Sequence, residues 1–280
     1  MNMRRGYADG PFGQVHYQRL GSGMPVVLLH QAPMTSGQFD RVYAPLAARS
    51  VHAIGIDLPG FGASDPTDFT PRVEDYARAV PSVLDALGIA TAVVAGHHTG
   101  ALIAVEVAAQ FADRVAALVL HGPLLTTEEE RQAWLTGRHL WEMQFGALPH
   151  GEHFQQLFRL REGFAAGSIK PERISQYVVQ AQSGRGRYWY GHHAAYQYRL
   201  DLSLPRIAHP TLLLSNTGDM IHHLAARTRA LRPDFSYVEL GGGGIDIVDQ
   251  QPDTWSTIVS AYARRIDETR QEPSTFNGEA

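Results

Sequence analysis

Apolar residues recur along this chain with two different periods. Short unbroken apolar runs occupy Pro25 to His30 ("PVVLLH"), Val51 to Asp57 ("VHAIGID"), Thr91 to Gly96 ("TAVVAG") and Ala116 to His121 ("AALVLH"). Two more follow at Thr211 to Ser215 ("TLLLS") and Ser236 to Leu240 ("SYVEL"). Runs of this length without alternation predict strands buried on both faces. Between them lie stretches with helical spacing: "PRVEDYARAVPSVLDALG", "TGALIAVEVAAQFA", "HHLAARTRALR" and "PDTWSTIVSAYARRI". In the first, Pro81 is expected to end or kink the helix, because its ring blocks the preceding turn. Near the start, "GQVHYQRLGSG" alternates and then turns at glycines, which predicts an antiparallel strand or hairpin at a sheet edge.

Strands alternating with helices imply an α/β fold: a mostly parallel twisted sheet with helices on both faces and right-handed crossovers. The alternation breaks between about Pro123 and Arg206, where helix formers and aromatics dominate. That span predicts an inserted helical lid over 123–206, set into a core made of 1–122 and 207–280. After Ile266 the chain ("DETRQEPSTFNGEA") has no apolar period, so a frayed tail is expected there.

Composition narrows the function classes. The net charge is −4 and the arginines are scattered, so no basic stripe exists to meet a nucleic acid backbone. There is no cysteine, which removes disulfides, thiolate metal sites and a cysteine nucleophile. The opening "MNMRRGYADGPFG" has no apolar run behind its arginines, and no segment reaches the roughly 18 apolar residues that span a bilayer. The expectation is a cytoplasmic protein with a small-molecule substrate and neither nucleic acid nor membrane as partner; oligomeric state is not legible. Histidine is abundant, with 14 residues and adjacent pairs at His97-His98, His192-His193 and His222-His223. None has the HxxxH or HExxH spacing that puts two ligands on one helix face, so neither a metal nor a cofactor is expected.

The chemistry concentrates at "AGHHTG", Ala95 to Gly100, where an apolar strand runs into a helix through two glycines four residues apart. A residue held in such a tight turn projects its side chain above the carboxyl edge of the sheet, and the glycines let the backbones pass. The helix N-terminus offers free N–H groups that stabilise a negative intermediate. Here the apex is His98.

In this setting the chain resembles the α/β-hydrolase superfamily from about Gly13 to Ile266. The resemblance rests on "VVLLHQAP", "IDLPGFGASDP", "VVAGHHTGA", "LPRIAHPTLLLSNTGD" and "GGGGIDIVDQQPDTW", in that order. It implies a nucleophile at position 98, an acid at Asp219 and a histidine at position 245. Only the acid matches: His98 stands where serine, aspartate or cysteine is expected, and Ile245 replaces histidine. An ordinary Ser–His–Asp triad is therefore excluded. The two departures fit together if His98 leans on Asp219 at about 2.8 Å, which leaves its other nitrogen as a base or nucleophile. The resemblance further places the backbone N–H groups of Gln31 and Thr99 as oxyanion donors.

Around the site, His30 is expected to support the oxyanion loop and border the substrate, with Ile245 opposite. Trp189, Tyr190 and His193 are expected to form an aromatic lid, since Trp189 and His193 share a helix face at four-residue spacing. Three functions remain open: hydrolysis of a small ester, lactone or related carbonyl compound; a lyase, isomerase or decarboxylase reaction using His98 as base; and a non-catalytic binding protein.

Overall fold

The computed structural model describes residues 2–271. Eight strands form one sheet: β1 (Arg4–Gly10), β2 (Gly13–Leu20), β3 (Met24–Leu29), β4 (Val51–Ile56), β5 (Ala92–His97), β6 (Val115–His121), β7 (Thr211–Asn216) and β8 (Ser236–Leu240). Their spatial order is β1-β2-β4-β3-β5-β6-β7-β8. The pairs β1/β2 and β2/β4 are antiparallel, and all other neighbours are parallel. The six apolar runs are thus strands within one or two residues of where the pattern puts them. The unforeseen one is β1, "RRGYADG", whose only buried residue is Ala8. An edge strand held by hydrogen bonds to one neighbour carries almost no apolar signal.

The parallel strands are buried on both faces. On one side Val27, Leu29, Ile54, Val94, Leu118 and Leu213 pack with the helix Thr99–Gln110; on the other Val26, Leu28, Val93, Val119 and Leu214 pack with Tyr43, Trp255 and Val259. Neighbouring residues of β3 fall in opposite clusters, the period of two expected for a pleated strand.

Between β6 and β7 the chain is helical, with Glu128–Thr136, Arg138–Gln144, Glu152–Ala165, Pro171–Ser183 and Tyr190–Gln197 as the longer helices. The helix pattern around Pro81 breaks three residues before the proline: Val73–Ala77 ends at Arg78, and Ala79–Ala86 begins with Pro81 in its first turn. There a missing N–H costs nothing. The last helix, Pro252–Gln271, continues past Ile266. Polar contacts extend it, including Gln271 to Asp267 at 2.9 Å and Arg270 to Thr91 at 2.9 Å. The rest of the expected tail lies outside the described residues. Among the described residues no helix is long and apolar enough to cross a membrane.

The parallel strands end on one edge, and His30, His98, Gly122 and Asp219 follow β3, β5, β6 and β7 there. Ligands of open α/β sheets bind outside this carboxyl edge.

Candidate active site

His98 sits alone between β5 and the helix Thr99–Gln110, with φ 49° and ψ −112°. A non-glycine residue in this region stores roughly 1–3 kcal/mol of strain, and such residues cluster at functional sites. The turn is tight enough that a side chain at position 96 would collide with the Gly100 carbonyl, and one at position 100 with the Leu29 carbonyl. The two glycines are what allow the elbow to form.

The imidazole of His98 reaches Asp219 across the edge of β6. Its Nε2 lies 2.6 Å from Asp219 Oδ2. The other carboxylate oxygen, Oδ1, accepts the Ile221 N–H at 3.1 Å. Burial alone would raise the Asp219 carboxyl, but the His98 ring and the Ile221 amide outweigh it and hold the group below the usual carboxylate range. An ionised Asp219 only accepts, so the proton on His98 belongs on Nε2. Its Nδ1 then carries the lone pair, and it has no hydrogen-bond partner among the described residues. Gly122 closes one side of the ring, since a Cβ there would stand 2.7 Å from His98 Cδ2.

A second layer of hydrogen bonds fixes this edge. Trp255 Nε1–H donates to His121 Nδ1 at 2.9 Å, and His121 Nε2–H donates to Asn216 Oδ1 at 2.9 Å. Asn216 Nδ2 in turn donates to the carbonyls of Gly242 and Gly244, which ties the acid turn to the glycine loop. Burial pushes His121 down to about 4, so it is a neutral spacer near pH 7.

His97 is also neutral. Burial first, then the neighbouring rings of His98 and His121, which oppose a further positive charge, push it well down. Donor atoms of His97, His98 and Asp219 lie within 4.8 Å of one another, the size of a metal site. The hydrogen bonds argue against that use of His97. Gln31 N–H donates to Gln38 Oε1 at 2.9 Å, which leaves the Gln38 amide nitrogen facing His97 Nδ1 at 2.6 Å. His97 Nδ1 must then accept, and its buried Nε2 carries a proton where a metal needs a lone pair.

The same bond corrects the expected oxyanion pair. Gln31 N–H is spent on Gln38, because the 3-10 turn Ser36–Phe39 brings that side chain back beneath the loop. The next amide, Ala32 N–H, makes no hydrogen bond among the described residues, and Ala32 borders the cavity together with Thr99. Thr99 opens its helix, so its amide has no partner one turn back.

A cavity of about 160 Å³ lies between the sheet edge and the helical insertion. His98, Thr99, Gln31 and Ile245 line its floor, so four sequence-derived positions meet there. His30 does not. It is fully buried, its Nδ1–H donates to the Gln31 carbonyl at 2.9 Å, and its Nε2 accepts the Leu58 N–H at 3.1 Å. It holds the loop and touches no ligand space.

Trp189, Tyr190 and His193 are likewise absent from the cavity wall, which takes Tyr188, His192 and Tyr196 instead. The expected pairing of Trp189 with His193 exists, with ring centroids 5.1 Å apart, but that face turns to His139. His192 and Tyr196, also four apart, stack at 5.7 Å and face the cavity. The segment is helical as expected; its rotation is off by one residue. Arg138 and Arg161 complete the wall, and nothing in their sequence neighbourhood singles them out.

The sequence profile of the alpha/beta hydrolase fold matches residues 24–249. The chain belongs to this family. A haloalkane dehalogenase of Mycobacterium marinum is 36% identical to this α/β-hydrolase over 141 residues, 48% of this chain and 46% of that protein. A 2-hydroxy-6-oxononadienedioate/2-hydroxy-6-oxononatrienedioate hydrolase of Dechloromonas aromatica is 38% identical over 114 residues, 39% of each chain. The α/β-hydrolase described here thus spans less than half the length of these two relatives. An esterase from Thermogutta terrifontis superposes with a TM-score of 0.75 at 20% identity, covering 94% of this chain and 99% of that one. At that identity the likeness is one of fold.

Proposed function

We propose that this α/β-hydrolase hydrolyses a small carbonyl compound, an ester, lactone or related substrate, without a cofactor and with His98 and Asp219 as a dyad. The observation that supports this most is the 2.6 Å contact from His98 Nε2 to Asp219, made by a strained elbow residue on the floor of a cavity. Asp219 holds the ring proton on Nε2 and stabilises the imidazolium as it forms. Nδ1 takes a proton from water as the water attacks the carbonyl carbon, and returns it to the leaving oxygen. The amides of Ala32 and Thr99 are the donors for the developing oxyanion. Thr99 follows the apex and is 3% exposed, so its hydroxyl is not assigned a role. The names of the matched relatives, a dehalogenase and a hydrolase, favour hydrolysis over lyase or isomerase chemistry.

The test uses a panel of small activated esters in ¹⁸O-labelled water, with a serine-directed fluorophosphonate probe alongside. Labelled oxygen in the carboxylic acid product, with no covalent labelling of the protein, is the expected result. Turnover without ¹⁸O in the product would move the reaction to the non-hydrolytic class. Labelling by the probe would reveal a hydroxyl nucleophile and end the dyad.

A further inference from the structure

We propose that the wall opposite His98 is a carboxylate subsite, so that the substrate is a small carbonyl compound carrying its own anionic group, held by Arg161 and Arg138. This deepens the function proposed above and rests on its placing of the reacting carbonyl at His98.

The first observation is the composition of the wall. Its polar side chains include Arg138, Arg161, His98, His192, Tyr188 and Tyr196, and among the described residues no Asp or Glu lines the cavity. The carboxylates stand one step back, each behind a donor. Asp219 is behind His98, Asp246 pairs with Arg161, and Glu142 Oε1 lies 2.9 Å from both Arg138 Nε and His192 Nδ1. A carboxylate that grips a cationic side chain from behind fixes its remaining donors forward.

The second observation is that these donors are unspent. Arg161 uses Nη2 on Asp246, while its Nε is buried with no partner among the described residues, and its side chain is only 9% exposed. Leaving such a donor unpaired costs roughly 1–3 kcal/mol, more for a charged group. Arg138 uses Nε on Glu142 and no other nitrogen on any described residue. Both guanidinium groups lie against one ring, with carbons 5.5 Å and 6.0 Å from the ring centre of Phe164. Tyr188 adds a hydroxyl: burial first, then Glu142, push its phenol up to about 12 against the pull of both arginines, so it keeps its proton. A wall with two guanidinium groups and, among the described residues, no carboxylate favours an anionic, acceptor-rich group, and a planar carboxylate matches guanidinium edges best.

Binding can be read apart from turnover. Monomethyl succinate and its uncharged dimethyl ester would be titrated by calorimetry into wild type and into His98→Ala, at fixed ionic strength and pH 7. The monoanion is expected to bind at least about tenfold tighter than the diester in both proteins. Arg161→Met is expected to bring the two ligands within about twofold of each other. Because Arg161→Met leaves Asp246 buried without its partner, Arg138→Met serves as a second variant, since its partner Glu142 keeps His192 Nδ1 at 2.9 Å, and it too should reduce the preference. Equal affinity of wild type for the two ligands overturns the subsite, whatever the variants do. A preference that survives in both arginine variants overturns the assignment to these residues. An acid that binds but no ester that turns over would leave the subsite standing and defeat the dyad; ester turnover without acid preference would do the reverse.

Discussion

Asp219→Asn tests the proton placement at the elbow, because the structure dictates which way the new amide must face. Ile221 N–H donates to Asp219 Oδ1 at 3.1 Å, and only an oxygen can accept it. The asparagine amide nitrogen is therefore turned toward His98 Nε2, where the carboxylate oxygen stood at 2.6 Å. An NH₂ group donates, so Nε2 must accept and the ring proton moves to Nδ1. The base lone pair of the proposed dyad is lost while shape and volume are kept. General base catalysis contributes about 10²–10⁴-fold, so kcat should fall by that factor, or about 3–5 kcal/mol on the barrier. The assay is kcat on the best activated ester, paired with long-range ¹H–¹⁵N spectra of the histidines. Wild type should show His98 protonated at Nε2 and the variant at Nδ1. Unchanged turnover in the variant, or a wild-type ring protonated at Nδ1, would refute the reasoning.

Two further outcomes follow from neighbouring geometry. Gly122→Ala places a methyl at φ +59°, which costs about 1 kcal/mol, and aims it 2.7 Å from His98 Cδ2. The expected result is a fold that survives, with a lower melting temperature and ester turnover reduced as the ring leaves Asp219; full activity would show that ring position is immaterial. Acid stability depends on buried histidines, among them His30 and His121, which burial holds at about 4. Both stay neutral when folded and charge once the chain opens, so the unfolded state binds more protons and their contribution, complete above about pH 6.5, is lost as pH falls toward 4. At pH 4.5 each should have cost about 2–3 kcal/mol, read as a drop in the urea midpoint from its value at pH 7; equal midpoints would contradict it.

The sheet was legible because β3 to β7 are buried on both faces, so each announces itself as an unbroken apolar run without tertiary information. The elbow was legible for a different reason: Gly96 and Gly100 are needed where backbones touch, and their spacing marks the turn. What stayed hidden depends on contacts between distant segments. Gln38 takes the Gln31 amide because a 3-10 turn folds back under the loop, a geometry that no local pattern encodes. The helix Tyr190–Gln197 was recognised, yet its rotation follows from how Trp189 and His193 pack on His139, and that decides whether His192 or His193 faces the cavity. Nothing in the local sequence marks Arg138 and Arg161; only the folded chain brings them to the cavity wall, paired with Glu142 and Asp246. β1 was silent because its neighbour supplies hydrogen bonds rather than a core.

The central claim is that an imidazole performs the chemistry for which this fold ordinarily uses a hydroxyl. It is tested most directly by comparing kcat/KM of wild type and His98→Ala on one activated ester, with and without added imidazole. We expect a loss of about 10²-fold or more, with part of the rate returned as free imidazole enters the space beside Gly122 and Asp219. A variant that hydrolyses the ester as fast as wild type would contradict the account.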